Sequence, residues 1–168
     1  LKGVAGVDAK GLAIKGKLLI QHEFHSGKKG GKTVLLEPTK AAFGMFGLPP
    51  EYENRGFIHR YLQFKVKEGM TAKGFKATLE KSVNGKSVDV VAENDKKKIP
   101  IEIAVTEKNE AVNLRKDIFQ AGFSNVIIIC KDRSVLSAVK KKLDSVFDSD
   151  ILSKVRCCLL AEFLDEIE

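Results

Sequence analysis

Two acidic residues, Asp89 and Glu102, stand in stretches of the chain that are otherwise mostly apolar. Asp89 lies within residues 87–91, which read SVDVV, and Glu102 lies within residues 99–105, which read IPIEIAV. The charged segment at 93–98 is typical of a turn, so the pattern predicts a β-hairpin with one acid on each strand. A carboxylate among buried neighbours needs a cationic partner, a metal ion or a proton, because burying an unpaired charge is costly. This pair is therefore the first candidate for chemistry.

The paired acids resemble the core of the PD-(D/E)xK nuclease superfamily, in which an Asp on one strand and a Glu two residues before a Lys on the next hold a divalent cation. The resemblance implies that Asp89, Glu102 and the backbone carbonyl of Ile103 would bind Mg²⁺ or Mn²⁺. Such an ion polarises the scissile phosphate of DNA and lowers the pKa of the attacking water. Ala104 occupies the family's Lys position. The chain is therefore either an endonuclease whose cation comes from elsewhere or a nuclease fold that no longer cleaves.

Three further catalytic candidates follow from the same resemblance. In some members the Lys is supplied by the following helix, where Lys116 stands about one turn after Asn113. Glu80 closes the strand before Asp89, and His59 lies on the first helix, where the superfamily often places a polar residue that faces the metal. The alternatives are a surface lysine for Lys116 and a residue at the boundary of the core for His59.

The sequence His59-Arg60-Tyr61 resembles a signature of nuclease-like domains attached to HerA- and TraG-type DNA-pumping ATPases and mobile-element proteins. The resemblance implies that His59 orients a phosphate or a water and that Arg60 binds the DNA backbone. It also implies an ATPase domain as a partner, in the same chain or in another. A catalytically inactive module that docks such a machine onto DNA is the alternative to an endonuclease.

The elements that must position these residues alternate between helices and strands. From residue 55 to about residue 130 the order is α-β-β-β-α-β, which matches the PD-(D/E)xK core and predicts an α/β, restriction-endonuclease-like fold. The helix that begins at Phe57 has an apolar residue at every fourth position and ends near Gly69 or Gly74. The other predicted elements are strands at 75–80, 87–91, 99–105, 125–130 and 155–160, and helices at 109–120, 134–143 and 161–167.

The first part of the chain resembles the second half of a winged helix. Residues 8–20 place apolar side chains at helical intervals, and two short strands at 19–24 and 32–37 flank a Gly/Lys-rich turn at 26–31. A basic turn of this kind can contact the DNA backbone. The lysines assigned to that contact are Lys28, Lys29 and Lys32.

A domain boundary is predicted near residue 50, where Pro49 and Pro50 break the periodicity. The chain is thereby divided into a partial winged-helix-like segment at 1–48, a linker at 49–54 and a PD-(D/E)xK nuclease-like domain at 55–168.

Composition limits the class of protein. The chain has 168 residues, of which 43% are hydrophobic and 30% charged, and its net charge of +7 favours a polyanionic partner. No membrane span or signal peptide is evident, so a cytoplasmic protein is expected. The three cysteines show neither a disulfide framework nor a CxxC metal pattern. The chain begins at Leu1, which predicts a fragment of a longer protein or a processed form.

Other sites are weaker. The segment 26–33 ends like a phosphate-binding P-loop, but Ser26 replaces its first Gly and a strand rather than a helix follows. His22, Glu23 and His25 do not form a metal cluster on a strand, because His22 points away from the other two. A small-molecule enzyme finds no support, since no nucleophile and base pair is evident. Oligomeric state and the preferred DNA structure are not encoded in any pattern found.

Overall fold

Strands and helices alternate along most of the chain, in a computed structural model that describes residues 9–25, 32–45 and 56–166. The strands are β1 (Leu19–His25), β2 (Lys32–Pro38), β3 (Lys76–Val83), β4 (Lys86–Glu93), β5 (Lys98–Ala104), β6 (Val126–Cys130) and β7 (Val155–Leu159). The helices are α1 (Ala9–Lys15), α2 (Lys40–Met45), α3 (Phe57–Ala72), α4 (Glu110–Arg115), α5 (Arg133–Asp144), α6 (Ser149–Leu152) and α7 (Leu160–Glu166). A π-helical turn, Lys116–Gln120, continues α4.

A five-stranded sheet in the order β3-β4-β5-β6-β7 forms the centre of the fold. β4 is antiparallel to both of its neighbours, β3 and β5, whereas β5, β6 and β7 are parallel. β3 and β4 are joined at Asn84 and Gly85, whose φ angles of 49° and 78° suit the tight hairpin turn that an Asn-Gly pair favours. The α/β class expected from the sequence is confirmed.

Helices cover both faces of this sheet. α3 and α7 pack on one face through Leu62, Val66 and Phe163. α4 and α5 pack on the other face through Leu114 and Val139. All five side chains are at most 1% exposed, so the two apolar clusters are dry and supply most of the hydrophobic stabilisation. The central strand β6 is apolar on both sides, as expected where helices cover both faces of a sheet.

Most predicted elements are confirmed, with shifts of one to three residues at their ends. The helix expected at 8–20 ends at Lys15, because β1 begins at Leu19. α3 continues through Gly69, and the chain turns at Gly74, where φ is +81°. The sequence did not predict the short helices α2 and α6.

β1 and β2 form a separate antiparallel pair that contacts the start of α3. The ring of His22 stacks on Phe57 at 5.6 Å, and Phe24 meets Tyr61 edge to face at 6.3 Å. The basic turn at 26–31 and the predicted linker lie outside the described residues. The winged-helix interpretation and the domain division therefore stay predictions. In the part of the chain that is described, no helix is long and apolar enough to cross a membrane.

Candidate functional site

The candidate site lies where the backbone pairing of β4 is interrupted on both sides. On one side the β3–β4 register runs from Lys76 to Val83 but is broken at Glu80, opposite Asp89. On the other side the β4–β5 ladder begins at Val90 and Ile101 and does not include Asp89. Asp89 therefore sits in a gap between neighbouring strands, where its side chain can take over hydrogen bonds that the ladder leaves unmade.

The alternation of side chains between the two faces of the sheet also shifts along β4 at this point. Val88 and Val91 belong to the cluster beneath α4 and α5, whereas Val90 belongs to the cluster beneath α3. Two residues spaced like Val88 and Val90 would share a face in a regular strand. Glu80, on the adjacent strand, has a φ of +53°, a left-handed conformation that costs a non-glycine residue about 1–2 kcal/mol. The irregularity turns Asp89 out of the regular sheet and towards the helices.

The Asp89 carboxylate is held by three residues from two elements, α3 and β5. Its Oδ2 atom accepts a hydrogen bond from the backbone N–H of Ile103 at 2.9 Å and lies 3.0 Å from Nε2 of His59. Its Oδ1 atom lies 3.3 Å from Nε2 of Gln63. Burial raises the pKa of Asp89, but the hydrogen bonds and charge of His59, with the Ile103 N–H, outweigh it, so the pKa is lowered overall. Asp89 therefore stays ionised.

Glu102 behaves in the opposite way. Its side chain is 5% exposed, and burial, followed by repulsion from Asp89 and Asp117, raises its pKa to about 10. The carboxyl of Glu102 is hydrogen-bonded to the carboxyls of both those residues. Two carboxyl groups share a hydrogen bond only when one of them carries a proton. Without a cation, Glu102 is therefore protonated at neutral pH.

Two further buried acids come from α4 and the turn that continues it. Glu110 is 5% exposed, and burial and the nearby Asp89 raise its pKa to about 8. Asp117 is 2% exposed, and its pKa is raised to about 6, mainly by burial, while its hydrogen bond with Glu102 acts against the rise. Four acids from three elements thus crowd into one place: Asp89, Glu102, Glu110 and Asp117. A folded protein keeps such repulsion mainly where function requires it.

A cavity of about 450 Å³ opens beside these acids. It lies between the start of α3, the end of β5 and the start of α4. The lining residues are Gly56, His59, Ser87, Asp89, Glu102, Ile103, Val105, Thr106, Asn109, Glu110 and Asn113. The lining set contains no Lys or Arg, so an anion such as a phosphate would need a cation to enter.

Buried polar atoms without a partner are also concentrated here. Among the described residues, the buried side-chain atoms that lack a hydrogen-bond partner are Nδ1 of His59, Oε2 of Glu110 and Oδ2 of Asp117. Such atoms are normally satisfied, because an unpaired buried group costs about 1–3 kcal/mol. Their concentration at one site indicates a place for water, a cation or a ligand.

The oxygen donors at the site suit a hard divalent cation. Within residues 9–25, 32–45 and 56–166, no three His, Cys, Asp or Glu side chains are arranged to hold a metal ion. Mg²⁺ does not require such a cluster, since it is commonly bound by one or two carboxylates and keeps several waters or substrate phosphates. Asp89, Glu102 and the carbonyl of Ile103 could supply protein ligands of that kind. The predicted donor set therefore fits the ion in its chemistry.

The other sequence-predicted residues lie at varying distances from this centre. Glu80 is linked to it through Gln63, whose Nε2 atom donates to Oε1 of Glu80 at 2.8 Å. Lys116 begins the π-helical turn and is not among the cavity-lining residues. If Asn109 is position i, Asn113 is i+4 and Lys116 is i+7, so the three residues share one face of the helix. Ala104 is fully buried in the core beneath α4 and offers no cation.

None of the predicted DNA-contacting residues that the structure describes lines the cavity. Arg60 is on α3, next to His59, but does not line the cavity. Lys32 is on β2 and forms an ion pair with Glu23 at 2.5 Å. Lys28 and Lys29 are outside the described residues.

Three residues of the site were not predicted as site residues from the sequence: Gln63, Glu110 and Asp117. A signal for the last two existed, because Glu110, Asn113 and Asp117 recur at i, i+3 and i+7 and so lie on one face of a helix. Gln63 follows His59 by four positions and shares its face of α3. These spacings indicate a polar helix face, but not that either face meets Asp89.

Comparisons with known proteins add little. No protein-family model matches this chain, and no curated relative matches it either. The chain is similar to a crystal structure described as a protein of unknown function, AF1548, with a TM-score of 0.41 and 20% sequence identity over 60% of this chain. It spans 56% of the length of that protein. A likeness of this degree carries no argument about fold family or function.

Proposed function

We propose that this chain is a divalent-metal-dependent phosphodiesterase of the nuclease type, acting on DNA, with a restriction-endonuclease-like core. The observation that carries the proposal is the closeness of Asp89 and Glu102 where β4 and β5 stop pairing, beside a cavity lined by Glu110, whose Oε2 atom is buried without a hydrogen-bond partner. An acidic cavity in a chain of net charge +7 is unusual, because its acids repel one another while the rest of the protein attracts polyanions. A divalent cation would reconcile the two, neutralising the acids and recruiting phosphate.

Each residue then has a physical role. Asp89 and Glu102, with the Ile103 carbonyl, would hold Mg²⁺ or Mn²⁺, which when bound polarises a phosphate and lowers the pKa of water. His59 hydrogen-bonds Asp89 and helps to keep its pKa low, so a ligand oxygen is ionised. Lys116 is the candidate for the positive charge that the family's Lys would supply, on the helix face of Asn109 and Asn113 and close enough to Asp117 for its charge to oppose the rise in pKa that burial causes in that acid.

The start of α3 supports a phosphate at the cavity. Gly56 precedes this 16-residue helix and has no side chain with which to cap it. Helix N-termini carry free N–H groups and a partial positive charge, both of which favour phosphate. Gly56 lines the cavity, so this end of the helix faces the place that a substrate phosphate would occupy.

The test is nicking of supercoiled plasmid by wild type and Asp89→Asn, with thermal unfolding in parallel, each with Mn²⁺, Mg²⁺ or EDTA. We expect metal-dependent nicking and a metal-induced rise in melting temperature, both lost in Asp89→Asn. The matched control is Asp95→Asn, because Asp95 is exposed in the turn of the same hairpin. Wild type that neither nicks DNA nor gains stability from metal would contradict the proposal.

A second function is favoured by Ala104. Because the family's Lys position is filled by a buried alanine, the same fold could serve as an inactive DNA-docking module of a larger ATPase or mobile-element protein. That function predicts salt-sensitive DNA binding without cleavage, unchanged in Asp89→Asn. The nicking assay together with a DNA-binding titration separates the two.

A further inference from the structure

Gln63 is a buried polar residue with an unusual set of partners. It is 2% exposed and lies one helical turn after His59 on α3. Its Nε2 atom is 2.8 Å from Oε1 of Glu80 and 3.3 Å from Oδ1 of Asp89. An amide nitrogen carries two hydrogens, so one side chain can donate to both acids at once. Gln63 therefore bridges two carboxylates on neighbouring strands.

The bridge completes the fixation of Asp89. Oδ2 is held by His59 and by the Ile103 N–H, and Gln63 donates to Oδ1. A carboxylate bound at one oxygen can rotate about its last bond, whereas one bound at both has a defined plane. Ligands of a metal or a substrate depend on such supporting hydrogen bonds for their orientation.

The same amide anchors the irregular backbone at Glu80. Glu80 has a φ of +53° and stands opposite Asp89 at the break in the β3–β4 register. A strained conformation persists only where surrounding contacts over-determine it. The bond from Gln63 to the Glu80 carboxylate is one such contact, and it couples the strained strand to the orientation of Asp89.

We propose that Gln63 is a positioning residue of the phosphodiesterase site, which sets the plane of the Asp89 carboxylate and holds Glu80 beside it without touching the substrate. The inference rests on the proposed function and deepens it, since it assigns a role to a residue outside the acid pair. Replacing Gln63 should impair metal binding and turnover more than it impairs DNA binding.

The experiment compares Gln63→Met, which keeps the length but removes the donor, with Gln120→Met, the same change at an exposed position after the site. Mn²⁺ affinity is measured by titration calorimetry, and kcat and KM by plasmid nicking, below each variant's melting temperature. We expect Gln63→Met to weaken Mn²⁺ binding about tenfold or more and to lower kcat with KM for DNA unchanged. Gln120→Met should match wild type.

One outcome would overturn the positioning role of Gln63, and a second variant covers the case in which Gln63→Met does not fold. A Gln63→Met protein with a lower melting temperature but wild-type Mn²⁺ affinity and kcat would overturn the inference, leaving Gln63 as a packing residue. If Gln63→Met does not fold, Gln63→Asn replaces it, because its amide is one methylene shorter and cannot reach both acids. It should show the same losses, and wild-type affinity and kcat would again overturn the inference.

A separate readout keeps this inference distinct from the proposed function. The side-chain amide signal of Gln63 in a metal-free ¹H–¹⁵N NMR spectrum should shift in Asp89→Asn and stay in place in Asp95→Asn. If wild type neither binds metal nor nicks DNA but this response is present, the proposed function fails while the Gln63 contact stands. If the Gln63 amide signal does not shift in Asp89→Asn, the positioning role is overturned, whether or not the wild-type protein nicks DNA.

Discussion

The two halves of the central sheet differ in what they bury. In the parallel half, β5, β6 and β7 pair in an unbroken register, and the residues of β6, Val126–Cys130, are apolar throughout. In the antiparallel half the pairing of β4 is interrupted on both sides of Asp89, and buried polar groups gather there. β5 belongs to both halves, and it carries Glu102 next to the point where its pairing with β4 ends. The comparison teaches that this fold concentrates stability in one half and strain in the other.

The difference has a physical basis. A continuous ladder satisfies its own backbone groups and leaves side chains free to pack against apolar helices. An interrupted ladder leaves backbone N–H groups that polar side chains can satisfy, as Asp89 does for Ile103. Polar side chains of α3 and α4 can then face the sheet, because hydrogen-bond partners are available to them at the gap. The predictions below break or sharpen this contrast, beginning with the largest effect.

Removing bulk from the parallel half should cost the most. Ile129 is fully buried in the cluster beneath α3, so Ile129→Ala leaves a cavity and should lower the free energy of unfolding by about 2–5 kcal/mol. Urea denaturation measures the loss, and we expect the same loss at pH 6 and pH 8. Ile127→Ala, on the same strand but partly exposed, is the control and should cost less. Equal costs would mean that β6 is not the rigid part of the sheet.

Removing the positive charge of Lys116 should affect turnover rather than folding. Lys116→Ala is expected to reduce metal-dependent nicking about a hundredfold, because a cation beside the developing charge stabilises the transition state. Its melting temperature should change little, since Lys116 has no part in either apolar cluster. Lys65→Ala, at an ion-paired position of α3, is the control. Full activity in Lys116→Ala would show that the cation is supplied by another residue.

Neutralising an acid in the antiparallel half should stabilise the metal-free protein. Glu102 has a pKa of about 10 in the folded protein, so at pH 8 it is protonated when folded but ionised in the unfolded chain. Folding at this pH therefore requires the uptake of a proton, which lowers the free energy of unfolding. Glu102→Gln removes that cost and should raise the free energy of unfolding by about 1–2 kcal/mol at pH 8. It should also abolish stabilisation by Mn²⁺. Glu107→Gln, at an exposed position, should do neither, and a destabilised Glu102→Gln would contradict the strain assigned to this half.

The acids should also give the metal-free protein a pH-dependent stability. Glu102 and Glu110 have raised pKa values when folded, so the folded state binds more protons than the unfolded state above pH 5. Stability therefore falls as the pH rises from 6 to 8, by at most about 1.4 kcal/mol per pH unit for each unmatched proton. Glu110→Gln should make the slope shallower, and saturating Mg²⁺ should flatten it, because metal-bound acids are ionised in the folded state as they are in the unfolded chain. Urea denaturation at pH 6, 7 and 8 tests this, and a flat profile would contradict it.

Local patterns in the sequence predicted much of this architecture. The strands around Asp89 and Glu102 and the helices at 57–72 and 133–144 follow from alternation and from apolar spacing, which depend on a few neighbouring residues. The predicted end of the first helix was wrong because a strand begins at Leu19 and competes for the same residues. The π-helical turn was not foreseen, since a single inserted residue leaves little trace in apolar spacing.

What the sequence alone determined was the α/β class, the order of its main elements and the two acids on adjacent strands. These follow from side-chain periodicity and from the rarity of charge in apolar strands. Only the tertiary structure decided that Gln63, 26 residues before Asp89 in the chain, reaches its carboxylate, and that Glu110 and Asp117 crowd Glu102 from the other face. The reason is that such contacts depend on where a ladder breaks and on how two helices lie against that break, and neither is encoded in the spacing of nearby residues.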